Sequence, residues 1–238
     1  MPDRAPRVLV TRAVEDAALL AHSLSRAGFE PVMVPLLERH WQVEEVAKAT
    51  RQISRIDLLL LTSATAVDVF AAAAGDKKVG SVAVVGPATA HRCDQLGLKV
   101  DVIPSQSTAA DLLDELGEIA GLTVLYPRAD LAPPTTAEAL RRRGATVIDV
   151  IAYLNVAPHD YERHLREELP IDITALMSGS TAQRIADVLA PDEFGKLGHI
   201  AVIGPSTRKV VQKLGFKVAI MARPHNVAGI VRAVQQLV

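Results

Sequence analysis

The stretch VAVVGPATAHRCDQLGLKV, residues 82–100, recurs as IAVIGPSTRKVVQKLGFKV, residues 200–218, with identical residues at nine of nineteen aligned positions. In both copies an apolar run leads into Gly-Pro-x-Thr, and an amphipathic stretch follows that ends at a glycine. A short apolar run is typical of a buried strand, and proline is favoured at the first position of a helix. The stretch therefore predicts a strand–turn–helix unit that the chain contains twice.

Two further pairs of segments show that the repeat extends along most of the chain. DLLLLTSAT (57–65) matches DITALMSGS (172–180), and VLVTRA (8–13) matches VLYPRA (124–129), at offsets close to that of the first pair. Self-similarity at a fixed period is the signature of duplicated structural units. The chain is therefore predicted to consist of two tandem copies of roughly 116 residues, each with about five strands, enough for one small doubly wound sheet.

Apolar strands alternate with amphipathic helices along the whole chain. Strands are predicted at 7–12, 30–38, 57–63, 82–86, 98–103, 122–128, 145–156, 172–178, 199–204 and 217–222. Helices are predicted at 14–28, 43–54, 64–74, 87–96, 107–119, 134–143, 158–168, 180–189, 205–214 and 225–237. Continuous apolar strands, each followed by a helix, are typical of parallel sheets covered on both faces. The predicted fold class is α/β, with two doubly wound, flavodoxin-like parallel-sheet domains.

The two longest strand segments, 30–40 and 145–156, are the expected crossing points between the domains, because no Gly- or Pro-rich linker lies near the middle of the chain. Crossing twice makes the domains interleaved rather than sequential. One domain is expected to comprise 1–36 and 156–238, the other 37–155, with a ligand cleft between them.

Composition excludes several classes of function. The net charge is −1 and aromatic residues make up 3% of the 238 residues, which disfavours nucleic-acid binding. The single cysteine, Cys93, allows no disulfide within the chain and is expected to be a structural thiol. No stretch approaches the ~20 apolar residues of a membrane helix, and no signal-peptide pattern is visible. A cytoplasmic protein with no membrane contact is expected.

Candidate binding residues follow the predicted strands, where doubly wound sheets bind their ligands. Most are small or hydroxylated, and they precede or open helices: Thr11, Arg12, Thr62, Ser63, Gly86, Thr89, Arg128, Ser178, Ser180, Gly204, Ser206 and Thr207. Taken singly, each turn favours simple helix capping. Taken together, several helix N-termini on one edge favour binding of a ligand with several carboxylates or phosphates.

Familiar catalytic and metal-binding patterns are missing from the sequence. There is no GxGxxG, GxxxxGK[ST], GxSxG, HExxH or CxxC, and the seven histidines are scattered, so no metal site is expected. Asp57 and Asp172 begin predicted strands and are interpreted as turn residues rather than phosphoacceptors. Tyr153 lies in a proposed crossing strand and has two interpretations of equal weight. It is either a core residue with a satisfied hydroxyl, or a general acid facing the cleft.

The ordered motifs resemble the uroporphyrinogen-III synthase family. They are VLVTR (8–12), LLLTSATAVDVF (59–70), VAVVGPATA with LGLKV, the tyrosine of VIAYLNV, ALMSGSTAQRI (175–185) and IAVIGPSTRKVVQKLGFKV. One departure is Ala13, where the family often has proline. The resemblance implies two α/β domains joined by a two-stranded connection.

The same resemblance implies a hydro-lyase that cyclises hydroxymethylbilane, a linear tetrapyrrole with eight carboxylates, to uroporphyrinogen III without cofactor or metal. It assigns Tyr153 to assisting departure of the substrate hydroxyl, and places the family's hydroxyl-bearing turns on Ser63, Thr89, Ser178 and Thr207. A monomer that transiently contacts the upstream bilane-forming enzyme is expected. The alternatives are a non-catalytic two-domain binding protein for a small polycarboxylate or phosphate, and an inactive synthase-like domain.

Overall fold

Strands followed by helices form two five-stranded sheets in the computed structural model, which describes residues 4–106 and 108–238. The strands are β1 (Arg7–Val10), β2 (Glu30–Met33), β3 (Glu38–Trp41), β4 (Ile56–Leu61), β5 (Val79–Val84), β6 (Thr123–Ala129), β7 (Thr146–Val156), β8 (Ile173–Leu176), β9 (His199–Val202) and β10 (Val218–Met221). The helices are α1 (Val14–Arg26), α2 (Val43–Gln52), α3 (Ala64–Ala74), α4 (Pro87–Gln95), α5 (Ala109–Glu115), α6 (Thr135–Arg142), α7 (Tyr161–Glu168), α8 (Gly179–Val188), α9 (Pro205–Lys213) and α10 (Val227–Gln235), with a short 3₁₀ helix at Pro191–Leu197. The predicted α/β class with two doubly wound sheets is confirmed. Ser107, the first residue of the predicted helix 107–119, lies outside the described residues.

The chain divides into two compact units. The first unit comprises the chain up to Glu38 together with Val156–Val238, and the second unit is Arg39–Asn155. The strand order is β10-β9-β8-β1-β2 in the sheet of the first unit and β3-β7-β6-β4-β5 in the sheet of the second. Numbered within its own sheet, the first order is that of flavodoxin-like folds.

The strand pairings show that each unit is assembled from parts of both sequence copies. Arg7 pairs with Glu30 in β1–β2, and Thr123 pairs with Thr146 at the equivalent place in β6–β7. β4–β5 and β8–β9 are equivalent in the same way. The first unit therefore takes β1–β2 from the first copy and β8–β10 from the second. The second unit takes the complementary parts, so the duplicated halves are exchanged.

Two predicted strands differ from the structure for identifiable reasons. The predicted strand 30–38 ends as β2 because its only ladder partner among the described strands, β1, ends at Val10, and the chain resumes as β3 in the other sheet. The predicted strand 98–103 is reduced to one parallel bridge between Ala83 and Val102. There the Asp101 carboxylate accepts the Val82 N–H at 2.9 Å, which replaces a ladder bond.

Each sheet is buried on both faces. In β4, Leu59 and Leu61 pack into one apolar cluster, whereas Leu58 and Leu60 pack into another. Successive side chains of a strand point to opposite faces, so a continuous leucine run supplies both layers of core. Cys93 is fully buried, and this burial raises the pKa of its thiol to about 11, which confirms the structural interpretation. Within the described residues, no helix combines the length and apolarity needed to cross a bilayer.

Asp57 and Asp172 hold equivalent strands at the amino edges of the two sheets. Asp172 Oδ2 accepts the N–H of Arg7 at 2.7 Å, and Asp57 Oδ2 accepts the N–H of Thr123 at 2.9 Å. The Arg7 N–H and the Arg4 guanidinium lower the pKa of Asp172. Both carboxylates therefore have a structural role far from the carboxyl edges, as expected for residues that begin a strand.

Candidate functional site

At the carboxyl edge of each sheet, three of the described helices have N-caps at equivalent positions in the two sequence copies. The equivalent pairs are Ser63 of α3 with Ser178 of α8, Gly86 of α4 with Gly204 of α9, and Thr108 of α5 with Asn226 of α10. The last pair was missed by the sequence analysis. The signal that could have found it is its spacing, which equals that of the two Gly-Pro-x-Thr turns.

Serine side chains cap α3 and α8. Ser63 Oγ accepts the N–H of Ala66 at 3.1 Å, and Ser178 Oγ accepts the N–H of Thr181 at 3.3 Å. Ser178 Oγ also lies 3.0 Å from Ser180 Oγ. At these two turns the serines satisfy donors of the first helical turn, as an N-cap should.

The two Gly-Pro-x-Thr turns are built differently. Gly86 and Gly204 have extended backbones, with φ of −160° and −170°, and no side chain of the described residues caps α4 or α9. The first-turn N–H groups and the helix dipole are therefore open to an anion. Thr89 and Thr207 are 6% and 4% exposed, so a ligand meets the backbone N–H groups before these hydroxyls.

His225 lines the open end of α9 and was not among the predicted site residues. A Cβ on Gly204 would lie 3.5 Å from its Cγ. Its Nδ1 lies 3.0 Å from the carbonyl oxygen of Ile203 and 2.9 Å from that of Ala222. Because both neighbours are carbonyl acceptors, Nδ1 carries a proton. His225 is exposed, as is Ser206 in the adjoining turn.

The reversal of strand order, where doubly wound folds bind ligands, lies between β1 and β8 in the first unit. The turns at this point carry Thr11, Arg12 and Ser178. Thr11 is fully buried, and its hydroxyl has no hydrogen-bond partner among the described residues. Arg12 Nη2 lies 3.1 Å from Asp16 Oδ2 within the same turn of chain. Thr11 and Arg12 thus lie next to the N-terminus of α8, and the charge of Arg12 is partly neutralised by Asp16.

The same reversal in the second unit lies between β4 and β6, where Thr62 and Ser63 face the end of β6. Arg128, predicted to bind an anion here, is instead held by protein groups. Its Nε donates to Asp149 Oδ2 at 3.0 Å, and its Nη1 donates to the carbonyl oxygens of Ala129 and Ala132. We therefore do not include Arg128 among the proposed ligand contacts.

Tyr153 lies in β7, which is separated from β4 by β6, and its side chain extends to Ser63 at the end of β4. The pairing of β6 with β7 shifts where Ala129 follows Arg128, so that Tyr153 stands opposite Ala129. Such a bulge re-aims side chains. The ring lies in the apolar cluster of the second unit, is 7% exposed, and its hydroxyl donates to Ser63 Oγ at 3.1 Å. The hydroxyl is thus satisfied as a core tyrosine requires, yet its partner is a predicted site residue.

The described residues contain no cluster of three or more His, Cys, Asp and Glu side chains that could hold a metal ion. The chemistry they do offer at the carboxyl edges is hydrogen-bond donation by backbone N–H groups and hydroxyls. Such edges can bind carboxylates and can deliver a proton through a hydroxyl.

Comparison with known proteins gives a consistent result along the chain. The family model described as uroporphyrinogen-III synthase HemD matches residues 18–232. The uroporphyrinogen-III synthase of Chlorobaculum parvum is 27% identical over 232 residues, covering 90% of this chain and 92% of that protein. The uroporphyrinogen-III synthase of Synechococcus elongatus is 28% identical over 250 residues, covering 96% and 94%.

Solved structures show the same fold. A mutant uroporphyrinogen III synthase from Thermus thermophilus superposes with a TM-score of 0.70 at 17% identity, covering 98% of each chain. The uroporphyrinogen-III synthetase of Helicobacter pylori superposes with a TM-score of 0.67 at 15% identity, covering 98% of this chain and all of that one.

Proposed function

The chain belongs to the uroporphyrinogen-III synthase family, and from this membership we propose that it converts hydroxymethylbilane to uroporphyrinogen III and water. It is a cyclising lyase of tetrapyrrole biosynthesis. The observation that carries the proposal is the family match over residues 18–232. The polar carboxyl edges suit such a substrate chemically. The alternative of a non-catalytic binding protein gains no support from any of the comparisons.

The reaction follows from what the family resemblance implies. Loss of the hydroxyl from the hydroxymethyl group gives an azafulvene, which ring D attacks through its substituted α-carbon. The resulting spirocyclic intermediate breaks and recloses with ring D inverted. Because the free bilane also cyclises without inversion, the protein must chiefly control the geometry of the reacting ends.

The open N-termini of α4 and α9 are the proposed binding points for substrate carboxylates. A carboxylate at a helix N-terminus gains about 0.3–1 kcal/mol, and up to about 2 kcal/mol when partly buried. One such contact is too weak to hold a flexible octa-acid, so several must act together. The proposed further contacts are Thr11, Arg12, Thr62, Ser63, Ser178 and Ser180 at the capped and central turns, together with Ser206 at the open end of α9.

Tyr153 is the proposed source of the proton for the departing hydroxyl. The support is its hydrogen bond to Ser63 at the reversal of strand order, together with the general value of a positioned acid, about 10²–10⁴-fold in rate. A carbon–oxygen bond breaks more easily when the oxygen leaves as water. No other tyrosine of the described residues donates to a residue of the predicted site.

An isomer assay tests the proposal directly. Hydroxymethylbilane is generated in the cuvette, incubated with the purified chain, and the products are oxidised and separated as type I and type III uroporphyrins. We expect type III to predominate and to form in proportion to the amount of protein. Type I alone, at the rate seen without protein, would reject the function. Gly204→Asp, which would place a negative charge at the N-terminus of α9, serves as the matched variant with impaired binding.

A further inference from the structure

We propose that the Ser63 hydroxyl donates the proton to the departing oxygen of the substrate's hydroxymethyl group. Tyr153 then acts through Ser63, as a positioning residue. The proposal rests on the proposed function, and it changes which group touches the substrate. Tyr153 is 7% exposed with its ring in the core, whereas Ser63 is half-buried at the carboxyl edge. Of the two hydroxyls, that of Ser63 is the one that a ligand can approach.

The hydrogen bonds around Ser63 fix where its own proton points. Ser63 Oγ accepts the N–H of Ala66 at 3.1 Å and the O–H of Tyr153 at 3.1 Å. A hydroxyl has two acceptor positions and one proton to donate. Both acceptor positions are occupied by these protein groups. The Ser63 proton is therefore left to be donated away from both, toward a ligand at the edge.

The surroundings also make Ser63 a better donor than an ordinary serine. Its oxygen sits at the N-terminus of α3, an eleven-residue helix whose dipole favours negative charge there. Accepting a bond from Tyr153 polarises the Ser63 O–H bond, because hydrogen bonds in a chain strengthen one another. Both effects stabilise the oxygen at the moment when its proton is transferred.

The proposed step is balanced within the proposed reaction. The carbon–oxygen bond of the hydroxymethyl group breaks, and its electron pair leaves with the oxygen. That oxygen takes the Ser63 proton and departs as water, while Ser63 takes the proton of Tyr153. The pyrrole nitrogen supplies the electrons for the new exocyclic double bond. Ring closure later releases one proton from the α-carbon of ring D, and this proton restores the tyrosine.

The sequence duplication provides an internal comparison. Ser178 is the equivalent N-cap in the first unit, but the residue equivalent to Tyr153 in that copy is Leu37, since Arg7 and Thr123 pair with equivalent residues of the next strand. Ser178 Oγ instead lies 3.2 Å from Thr181 Oγ1, within its own turn. Two serines with the same cap thus differ in their second partner. The proposed relay, in which Tyr153 acts through Ser63, is therefore confined to the second unit.

The experiment compares substitutions at the two serines in the full-length chain. Asparagine caps a helix as well as serine does but has no hydroxyl proton to give, so Ser63→Asn keeps α3 and removes the proton donor. Single-turnover formation of type III product and the Kd for uroporphyrin III are measured. The variants are Ser63→Asn, Ser63→Thr, Tyr153→Phe, the double variant of Ser63→Asn with Tyr153→Phe, and, as a comparison at the equivalent N-cap, Ser178→Asn.

We expect Ser63→Asn to lower the saturating rate by about 10²-fold or more and Tyr153→Phe by about tenfold, with the Kd changed by less than about threefold. The double variant should be no slower than Ser63→Asn, because the two groups act in series. Ser63→Thr, which keeps a hydroxyl, should retain most of the wild-type rate. Ser178→Asn should raise the Kd, because Ser178 is a proposed substrate contact, and should lower the saturating rate less than Ser63→Asn does.

Two results would overturn the relay. If Ser63→Asn keeps the wild-type rate while Tyr153→Phe is slow, the phenol protonates the substrate directly. If the two losses multiply in the double variant, the groups act independently. In both cases the wild-type chain still makes type III product, so the proposed function stands. Formation of no type III product by the wild type is a separate result, and it rejects the function and the relay together.

Discussion

Gly204→Asp tests whether the N-terminus of α9 binds a substrate carboxylate. The backbone at Gly204 is extended, with φ of −170°, so any residue can adopt it. An added Cβ would lie 3.5 Å from the His225 ring, which is ordinary contact. The aspartate would cap α9 and place a negative charge where the carboxylate is proposed to bind.

The expected effects on stability and binding have opposite signs. Stability should rise by at most about 1 kcal/mol, because glycine is already a fair N-cap and the dipole favours an acid there. Two charges about 4 Å apart repel by about 1 kcal/mol in water and about 4 kcal/mol at the effective dielectric of a protein surface. The Kd for uroporphyrin III should therefore rise by roughly fivefold to roughly 10³-fold.

Gly204→Asn separates charge from shape, because it caps α9 equally well without a charge. Both variants are measured for KM, for Kd by calorimetry, and for urea unfolding. The Asp variant should bind more weakly than the Asn variant, and the difference should shrink as salt is added. Equal and unchanged affinities for both variants would refute the assignment of a carboxylate to this turn.

Three further predictions concern stability and reactivity. Gly198→Ala should cost about 2–5 kcal/mol in urea unfolding, because its φ is +61° and a Cβ would lie 2.0 Å from a backbone oxygen. Gly28→Ala, with φ of +89° and open space, should cost only about 1–2 kcal/mol, and equal losses would contradict the clash. Cys93, with its pKa raised to about 11 by burial, should react with Ellman's reagent only after unfolding; rapid reaction of the folded protein would show that the thiol is accessible. Lys196 is the main cause that lowers the pKa of Glu193 from 4.5 to about 2, so the stability from this group should be present above pH 4.5 and lost as pH falls toward 2. Glu193→Gln should remove that part of the pH dependence, as measured by urea unfolding at several pH values, and an unchanged profile would argue against it.

The duplication made the fold predictable, because matching segments repeat both the strands and the turns at their ends. The N-cap roles of Ser63 and Ser178 followed from local rules alone. Prediction stopped where a residue's partner is distant in sequence. The salt bridge that occupies Arg128 depends on Asp149 in the neighbouring strand, and neither residue carries a local sign of it.

Tyr153 shows the same limit at the candidate site. Its position in a strand was predictable, but the bulge that turns its hydroxyl toward Ser63 depends on the register between β6 and β7. The missed caps Thr108 and Asn226 are a different case. Their common spacing was readable from the repeat, but the predicted helices 107–119 and 225–237 begin before Thr108 and Asn226, so the local pattern places these residues inside the helices rather than at their N-caps.

The exchange of halves between the two sequence copies sets an order of events during protein synthesis. All strands of the second unit have left the ribosome soon after Asn155 is added, whereas Val8 of β1 must wait for Ile173 of β8. At about 5–20 residues per second, that delay is roughly 10–30 s. For this time the apolar side chains of β1 have no finished sheet to join. Of the described strands, β1 is translated first, yet it is paired on both sides only after β8 has been made.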